Sequence, residues 1–168
     1  MPKIIKDLPE KLIEETRRQV MEVGYAALNI RTVAQNCGVG VGTVYNYFPS
    51  KEALVAQFLL QDWRKSMEQI RNGARECSGG EGVLSVIYQE LRDFYMRYED
   101  LFHAASATIP APPRQYHAIL RNQIAQVLRP WCDDDFTADF SAEALLTWTV
   151  EGKSFSQIAG LLKKVMAR

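Results

Sequence analysis

The chain has 168 residues and a formal net charge of zero, with 47% hydrophobic and 24% charged residues. This composition is typical of a globular protein with one or two domains and excludes an intrinsically disordered chain. The three widely separated cysteines, Cys37, Cys77 and Cys132, do not form a disulfide framework and suit a reducing compartment. The sequence has no apolar run near the roughly 18 residues of a membrane span and no signal-peptide core at its start. We therefore expect a cytoplasmic protein with no membrane partner.

The N-terminal part has the apolar spacing of three helices. A first helix is predicted over 9–23, and Gly24 is expected to end it in a left-handed conformation. Asn29 is a favourable N-cap for a second, short helix that ends before Gly38. A third short helix is predicted over 41–47.

The periodicity stays helical in the rest of the chain. Ser50 is placed to cap a long fourth helix. After the break at Ser78-Gly79-Gly80, further helices are predicted over about 81–98, 100–108, 113–129, 137–151 and 154–167. We therefore predict an all-α protein with a three-helix helix-turn-helix domain over 1–50 and a helical bundle over 51–168.

Ala34, Gly38 and Val44 have the spacing of a helix-turn-helix. A small residue at position 34 lets two helices cross closely. A glycine four positions later permits a positive φ in the turn, and Val44 then faces back into a small core. Because these residue types are common, the pattern gains its specificity from the segments around it.

Residues 12–58 resemble the DNA-binding domain of the TetR family of transcriptional regulators. The matching segments are Gly24-Tyr25, Ile30-Arg31-Thr32-Val33-Ala34, Gly38-Val39, Gly42-Thr43-Val44-Tyr45-Asn46-Tyr47-Phe48 and Ser50-Lys51-Glu52. The resemblance implies a domain that binds duplex DNA, followed by a variable helical part that dimerises and often binds an effector. The sequence departs from the family pattern at Gly40-Val41, where the family commonly has a hydroxyl residue and then a polar or basic residue.

In a helix-turn-helix, residues near the N-terminus of the recognition helix contact bases, and neighbouring side chains bind phosphates. Lys51 and Arg31 each begin a helix, where the helix dipole disfavours a cation and a bound phosphate would remove that cost. Val41 has no hydrogen bond to offer, but it is able to contact a thymine methyl. For Tyr45, packing and DNA contact stay open, and for Asn46, bases and water stay open. The predicted DNA contacts are Arg31, Thr32, Gly40, Val41, Gly42, Thr43, Tyr45, Asn46, Tyr47 and Lys51.

Sequence motifs of enzymes and metal sites are absent: there is no H-E-x-x-H, C-x-x-C, G-x-S-x-G or phosphate-binding loop. His103 and His117 are interpreted as structural or pocket-lining residues. The acidic run from Asp133 to Asp135 is interpreted as a solvated loop that caps the next helix. We therefore predict that the protein is not an enzyme and has no catalytic residue, metal site or cofactor.

The C-terminal part is rich in aromatic residues, most of which fit helical core stripes. Some of them are alternatively assigned to a pocket for a small apolar or aromatic effector beside the fourth helix. The predicted pocket residues are Trp63, Met67, Phe94, Tyr98, Phe102, His103 and Tyr116.

A homodimer is expected because one helix-turn-helix buries too little area to select a genomic site alone. The last two helices of each subunit would form the interface, unless their apolar stripes close the subunit's own core. The predicted interface residues are Phe140, Leu145, Trp148, Phe155, Ile158 and Leu162.

These observations predict a dimeric repressor that binds a palindromic operator in double-stranded DNA and is released by a small-molecule effector. Two alternatives stay open. One is a DNA-binding protein of the same fold that needs no ligand. The other is a helical enzyme or protein-interaction module. Specific binding of a palindromic duplex would exclude the second alternative.

Overall fold

The computed structural model describes residues 7–108 and 114–166, and the side chains of these residues except 105–108 and 114–116. The described residues form α-helices and contain no strand. The helices are α1 (Leu8–Val23), α2 (Ile30–Asn36), α3 (Val41–Tyr47), α4 (Lys51–Glu76), α5 (Gly80–Arg97), α6 (Glu99–Thr108), α7 (Arg114–Leu128), α8 (Asp135–Val150) and α9 (Phe155–Val165). The all-α prediction is confirmed, and each predicted helix is present with similar ends. A short 3-10 turn over Arg129–Trp131 was not predicted.

Capping side chains fix several helix ends. Asn29, Ser50 and Asp134 each accept a hydrogen bond from a backbone N–H in the first turn of α2, α4 and α8, at 2.9, 3.1 and 2.6 Å. The Asp134 bond confirms the interpretation of the acidic run as a helix-capping loop. Gly24 ends α1 with a φ of 82°, but its ψ of 164° lies outside the predicted left-handed helical region. That conformation is open almost only to glycine.

The structure divides the chain into two compact units. The first contains the described part of Met1–Trp63 together with Asp100–Thr108. The second contains Arg64–Glu99 and the described part of Ile109–Arg168. Residues of α4 occur in both units, whereas the predicted domain boundary lies at the start of α4.

The first unit has a small apolar core in which α1 packs against α2 and α2 packs against α3. Val44 is fully buried, as predicted, and Val33 and Phe48 are buried beside it in this core. Further side chains of this core with almost no exposed surface are those of Leu12, Ala34, Leu54 and Phe58. Burying these apolar groups provides the main driving force for assembling such short helices.

In the second unit, α8 packs against α5, α7 and α9. Fully buried core residues of this unit include Val83, Ile87, Ile124, Leu145 and Leu162. Gly73 allows close approach to α5, because a Cβ at this position would lie 2.9 Å from Cγ1 of Val86. Among the described residues, no helix has the length and apolar character needed to cross a membrane.

A carboxylate on α1 joins α1 to α2. Oε1 of Glu15 accepts hydrogen bonds from Arg18, Gln19 and Asn36, at 2.7, 2.9 and 2.6 Å. The Arg18 bond is the largest cause that lowers the pKa of Glu15, which falls to about 2. The charged form of Glu15 is therefore stabilised by the folded first unit.

Glu15→Gln is expected to destabilise the protein by about 1–2 kcal/mol at neutral pH, because the amide keeps the shape but loses the charge. A lowered carboxyl pKa stabilises the fold above its ordinary value of 4.5, and this contribution is lost as the pH falls towards 2. The difference in Tm between the two proteins should therefore shrink as thermal melts move from neutral to acidic pH. Glu10→Gln, at an exposed position of α1, is the control. A difference that stays constant on acidification would contradict this assignment.

Candidate nucleic-acid interface

The third helix contributes very little to the core. α3 has seven residues, and Val44 is its one buried residue. Tyr45, Asn46 and Tyr47 are exposed, and the two tyrosines have 49% and 50% of their surface accessible. The surface of α3 is therefore available to a large partner. For Tyr45, this exposure favours contact over packing.

The turn before α3 has the predicted geometry. Gly38 has a φ of 71°, in the left-handed region that favours glycine. Its N–H donates to the carbonyl of Gln35 at 3.0 Å, and the N–H of Val39 donates to the carbonyl of Ala34 at 2.9 Å. Ala34 is only 1% exposed, and α2 packs against α3. The expected close crossing of two helices around a small residue is confirmed.

All predicted DNA-contact residues lie in the first unit, and each of them is exposed or half-buried. Arg31 and Thr32 are exposed in the first turn of α2. Gly40 has extended backbone and is exposed before α3, and a Cβ there or at Gly42 would have no neighbour within 4 Å. The backbone at the start of α3 is therefore open to close approach. Which of these residues contact DNA stays a prediction.

The first turn of α4 is held by Tyr25, which lies in the loop just after α1. The Lys51 ammonium lies 4.2 Å from the centroid of the Tyr25 ring. The Tyr25 hydroxyl donates to Oε1 of Glu52 at 3.1 Å. Burial, followed by the Glu52 carboxylate, raises the pKa of Tyr25 to about 12, so the hydroxyl stays protonated. A backbone N–H hydrogen bond is the largest cause that lowers the pKa of Glu52.

A second polar contact joins α1 to α4 within the first unit. The Arg17 guanidinium donates to Oδ1 of Asp62 at 3.1 Å and to Oε1 of Gln61 at 3.2 Å. It also lies 6.0 Å from the centroid of the Phe58 ring and pairs with Glu14. Asp62 is buried, so this pair is shielded from solvent more than a surface ion pair. Neither this contact nor the Tyr25–Lys51 contact was predicted, because in each case the two residues are far apart in the sequence.

The predicted effector-pocket residues occur in both units. Those in the first unit are Trp63, Phe102 and His103, and those in the second are Met67, Phe94, Tyr98 and Tyr116. The Phe94 and Tyr98 rings form an edge contact with centroids 5.3 Å apart, and His103 is exposed. The Tyr116 side chain is outside the described residues. That these residues form one pocket stays a prediction.

His117 contacts a carboxylate of a neighbouring helix in the second unit. Nε2 of His117 lies 2.8 Å from Oε1 of Glu143, which joins α7 to α8. Thr147 donates to the same carboxylate oxygen at 3.1 Å. This agrees with the interpretation of His117 as a structural residue.

The predicted dimer-interface residues fall into two groups. Leu145, Ile158 and Leu162 are at most 1% exposed. Their side chains lie inside the second unit and cannot reach a partner subunit, which corrects the predicted set. Phe140 is 46% exposed, whereas Trp148 and Phe155 are half-buried.

Two further apolar residues of α9 are exposed, Val165 on the apolar face predicted for the last helix and Leu161 beside it. Leu161 is 53% exposed and Val165 is 44% exposed. Leu161 also lines an open cavity of about 360 Å³, together with Trp148, Lys153, Gln157 and Ile158. The exposed apolar surface of α8 and α9 is therefore larger than the predicted set.

The N-terminal segment of the chain is similar to known bacterial regulators. Residues 12–58 match the family model of bacterial regulatory proteins of the tetR family. YuxN, an HTH-type transcriptional regulator of Bacillus subtilis, is 38% identical over 87 residues, which are 49% of this chain and 30% of that protein. KstR, an HTH-type transcriptional repressor of Rhodococcus jostii, is 33% identical over 60 residues, which are 36% of this chain and 28% of that protein. The chain thus matches less than a third of the length of these relatives.

The fold is similar along almost the whole chain to that of a solved repressor. This is FadR from Thermus thermophilus, a TetR-family transcriptional repressor in complex with lauroyl-CoA. The TM-score is 0.67 at 20% sequence identity, over 95% of this chain and 93% of that one. At this identity, the similarity shows a common fold.

Gly38→Ala is expected to destabilise the protein by about 1–2 kcal/mol, because in the left-handed region the Cβ of an L-residue lies too close to the following carbonyl oxygen. Gly40→Ala is the matched control, since its φ is −76° and a Cβ there has no neighbour within 4 Å. Thermal melts should show a lower Tm for the first variant and no decrease for the second. Equal melting temperatures would show that the turn does not need the glycine at position 38.

Proposed function

We propose that this protein is a transcriptional regulator that binds duplex DNA, because residues 12–58 match the family model of bacterial regulatory proteins of the tetR family. The observation that supports this best is the surface of α3. Val44 alone of its residues is buried, and the exposed residues include Tyr45, Asn46 and Tyr47. A helix held by one apolar residue is able to enter a major groove without disturbing the core. A DNA partner would agree with the expected cytoplasmic location.

The residues around α3 have the chemistry for two kinds of contact. Thr43 and Asn46 offer hydrogen bonds to base edges, and Val41 offers an apolar contact to a thymine methyl. Arg31 and Lys51 flank α3 in the sequence and provide cations for phosphates. The base contacts set the preferred sequence, and the phosphate contacts set the position on the duplex.

We further infer that the protein is a repressor that a small apolar or aromatic molecule releases from its operator. Both KstR and FadR are named as repressors, and FadR was solved with lauroyl-CoA. Release requires a ligand that prefers the unbound form, with a coupling of about 1–3 kcal/mol. Native mass spectrometry of the purified protein tests this. A bound small molecule beyond the 19.1 kDa chain supports it, and a ligand-free chain favours regulation without an effector.

A homodimer would present two α3 helices to a palindromic operator. The exposed apolar residues Phe140, Leu161 and Val165 are the proposed centre of the interface. Exposed apolar side chains on adjacent helices are what a four-helix interface between two subunits requires.

Lys51→Ala is expected to weaken binding to all duplexes alike. Loss of one phosphate contact should lower the slope of log affinity against log salt by about 1. Asn46→Ala should instead change the preference among duplexes, because a base contact gives specificity. Fluorescence anisotropy with selected and random duplexes at several salt concentrations measures both effects. An unchanged salt slope for Lys51→Ala would show that Lys51 does not contact phosphate.

Leu161→Asp is expected to raise the dimer dissociation constant by at least about tenfold. The dimer would bury the new carboxylate without a partner, which costs free energy. Met96→Asp is the control, since Met96 is 60% exposed on α5 and outside the proposed interface. Sedimentation equilibrium compares both variants with the wild type. If Leu161→Asp dimerises as strongly as the control, the interface lies elsewhere.

A further inference from the structure

The first turn of α4 has a lysine whose cation rests on an aromatic ring. The Lys51 ammonium lies 4.2 Å from the centroid of the Tyr25 ring, and its side chain is half-buried. Within the described part of the chain, Lys51 forms no ion pair with a carboxylate, although Glu52 is its neighbour in sequence. On the basis of the proposed DNA-binding function, we propose that Tyr25 is a positioning residue that holds Lys51 ready for a DNA phosphate.

Tyr25 is itself firmly placed in the first unit. Its side chain is 7% exposed, and its carbonyl accepts a hydrogen bond from the N–H of Leu28 at 3.2 Å. Gly24, directly before it, has a φ of 82° and turns the chain out of α1. The ring is therefore a rigid support. A lysine side chain has many rotamers, so a support that restricts it before binding lowers the entropy lost in the complex.

The ring holds the cation without using its hydrogen-bond donors. A cation above a ring is attracted by the ring's electrostatic field, and an ammonium has three N–H donors. An ion pair with Glu52 would engage those donors and cancel the charge that a phosphate needs. The Tyr25 hydroxyl donates to Glu52 at 3.1 Å, so the same residue also restrains the competing carboxylate.

The two roles of Tyr25 are separable by substitution. Tyr25→Phe keeps the ring and removes only the hydroxyl that donates to Glu52. Tyr25→Leu removes the ring and keeps an apolar side chain in the buried position. The full chain and its variants are titrated against a fluorescein-labelled duplex of random sequence, at salt concentrations between about 50 and 200 mM. A random sequence isolates phosphate contacts, because these carry no sequence information.

Affinity of the wild type should fall steeply as salt rises. Between about 50 and 200 mM salt, Lys51→Ala and Tyr25→Leu should each lose about threefold less affinity than the wild type, because one phosphate contact contributes about that much to the salt dependence. Tyr25→Phe should keep the wild-type salt dependence. The double variant Tyr25→Leu/Lys51→Ala should lose no more than Lys51→Ala alone, because both changes remove the same contact.

A purely structural role for Tyr25 would lower the Tm but leave the salt dependence of the folded protein unchanged. The positioning role of Tyr25 is overturned if Tyr25→Leu folds and keeps the wild-type salt dependence. It is also overturned if the double variant loses more salt dependence than Lys51→Ala alone. Neither result affects the proposed DNA-binding function. A wild type that does not bind the duplex at low salt overturns the proposed function and this inference with it. If Tyr25→Leu does not fold, proton NMR of the wild type decides. Lys51 ε-methylene resonances shifted upfield by the ring, with and without duplex, support the proposal, and unshifted resonances overturn it.

Discussion

The proposed interface depends on the packing of one side chain, Val44. Isolated helices shorter than about 12–15 residues are marginal in water, and α3 has seven residues. Its formation therefore depends on the contact with α2 and on the burial of Val44, which contributes about 1.5–3 kcal/mol. The φ of Gly38 sets the direction in which α3 leaves the turn. Because so little of α3 is needed for packing, most of its surface is free for a partner.

The sequence predicted the local features of the first unit but not its long-range contacts. The caps Asn29 and Ser50 and the turn glycine Gly38 act within a few residues, so their patterns are visible in the sequence. Arg17 and Asp62 are 45 residues apart and Tyr25 and Glu52 are 27 apart. Such pairs form only when the helices are packed, and no local rule identifies them. These contacts hold α1 to α4 and place the first turn of α4 beside the end of α1.

In the second unit, the spacing of apolar residues predicted the helices. It did not show which apolar side chains lie in the core and which are exposed. Most of α8 is apolar around its circumference, with Leu145 in the core and Phe140 exposed. A helix of this kind has no single stripe that marks the core. On α9, the adjacent residues Leu161 and Leu162 are 53% and 0% exposed. Both residues are leucines, so residue type does not show which one is buried. The predicted interface therefore included core residues as well as surface residues.

If α3 is the surface that enters duplex DNA, binding should slow amide hydrogen exchange in this helix. The full chain is measured with and without a random-sequence duplex at low salt. We expect slower exchange from Val41 to Tyr47 and in the first turn of α4 when the duplex is bound, because an occupied groove covers these amides. If the duplex binds and exchange over Val41–Tyr47 stays unchanged, α3 is not the DNA-binding surface.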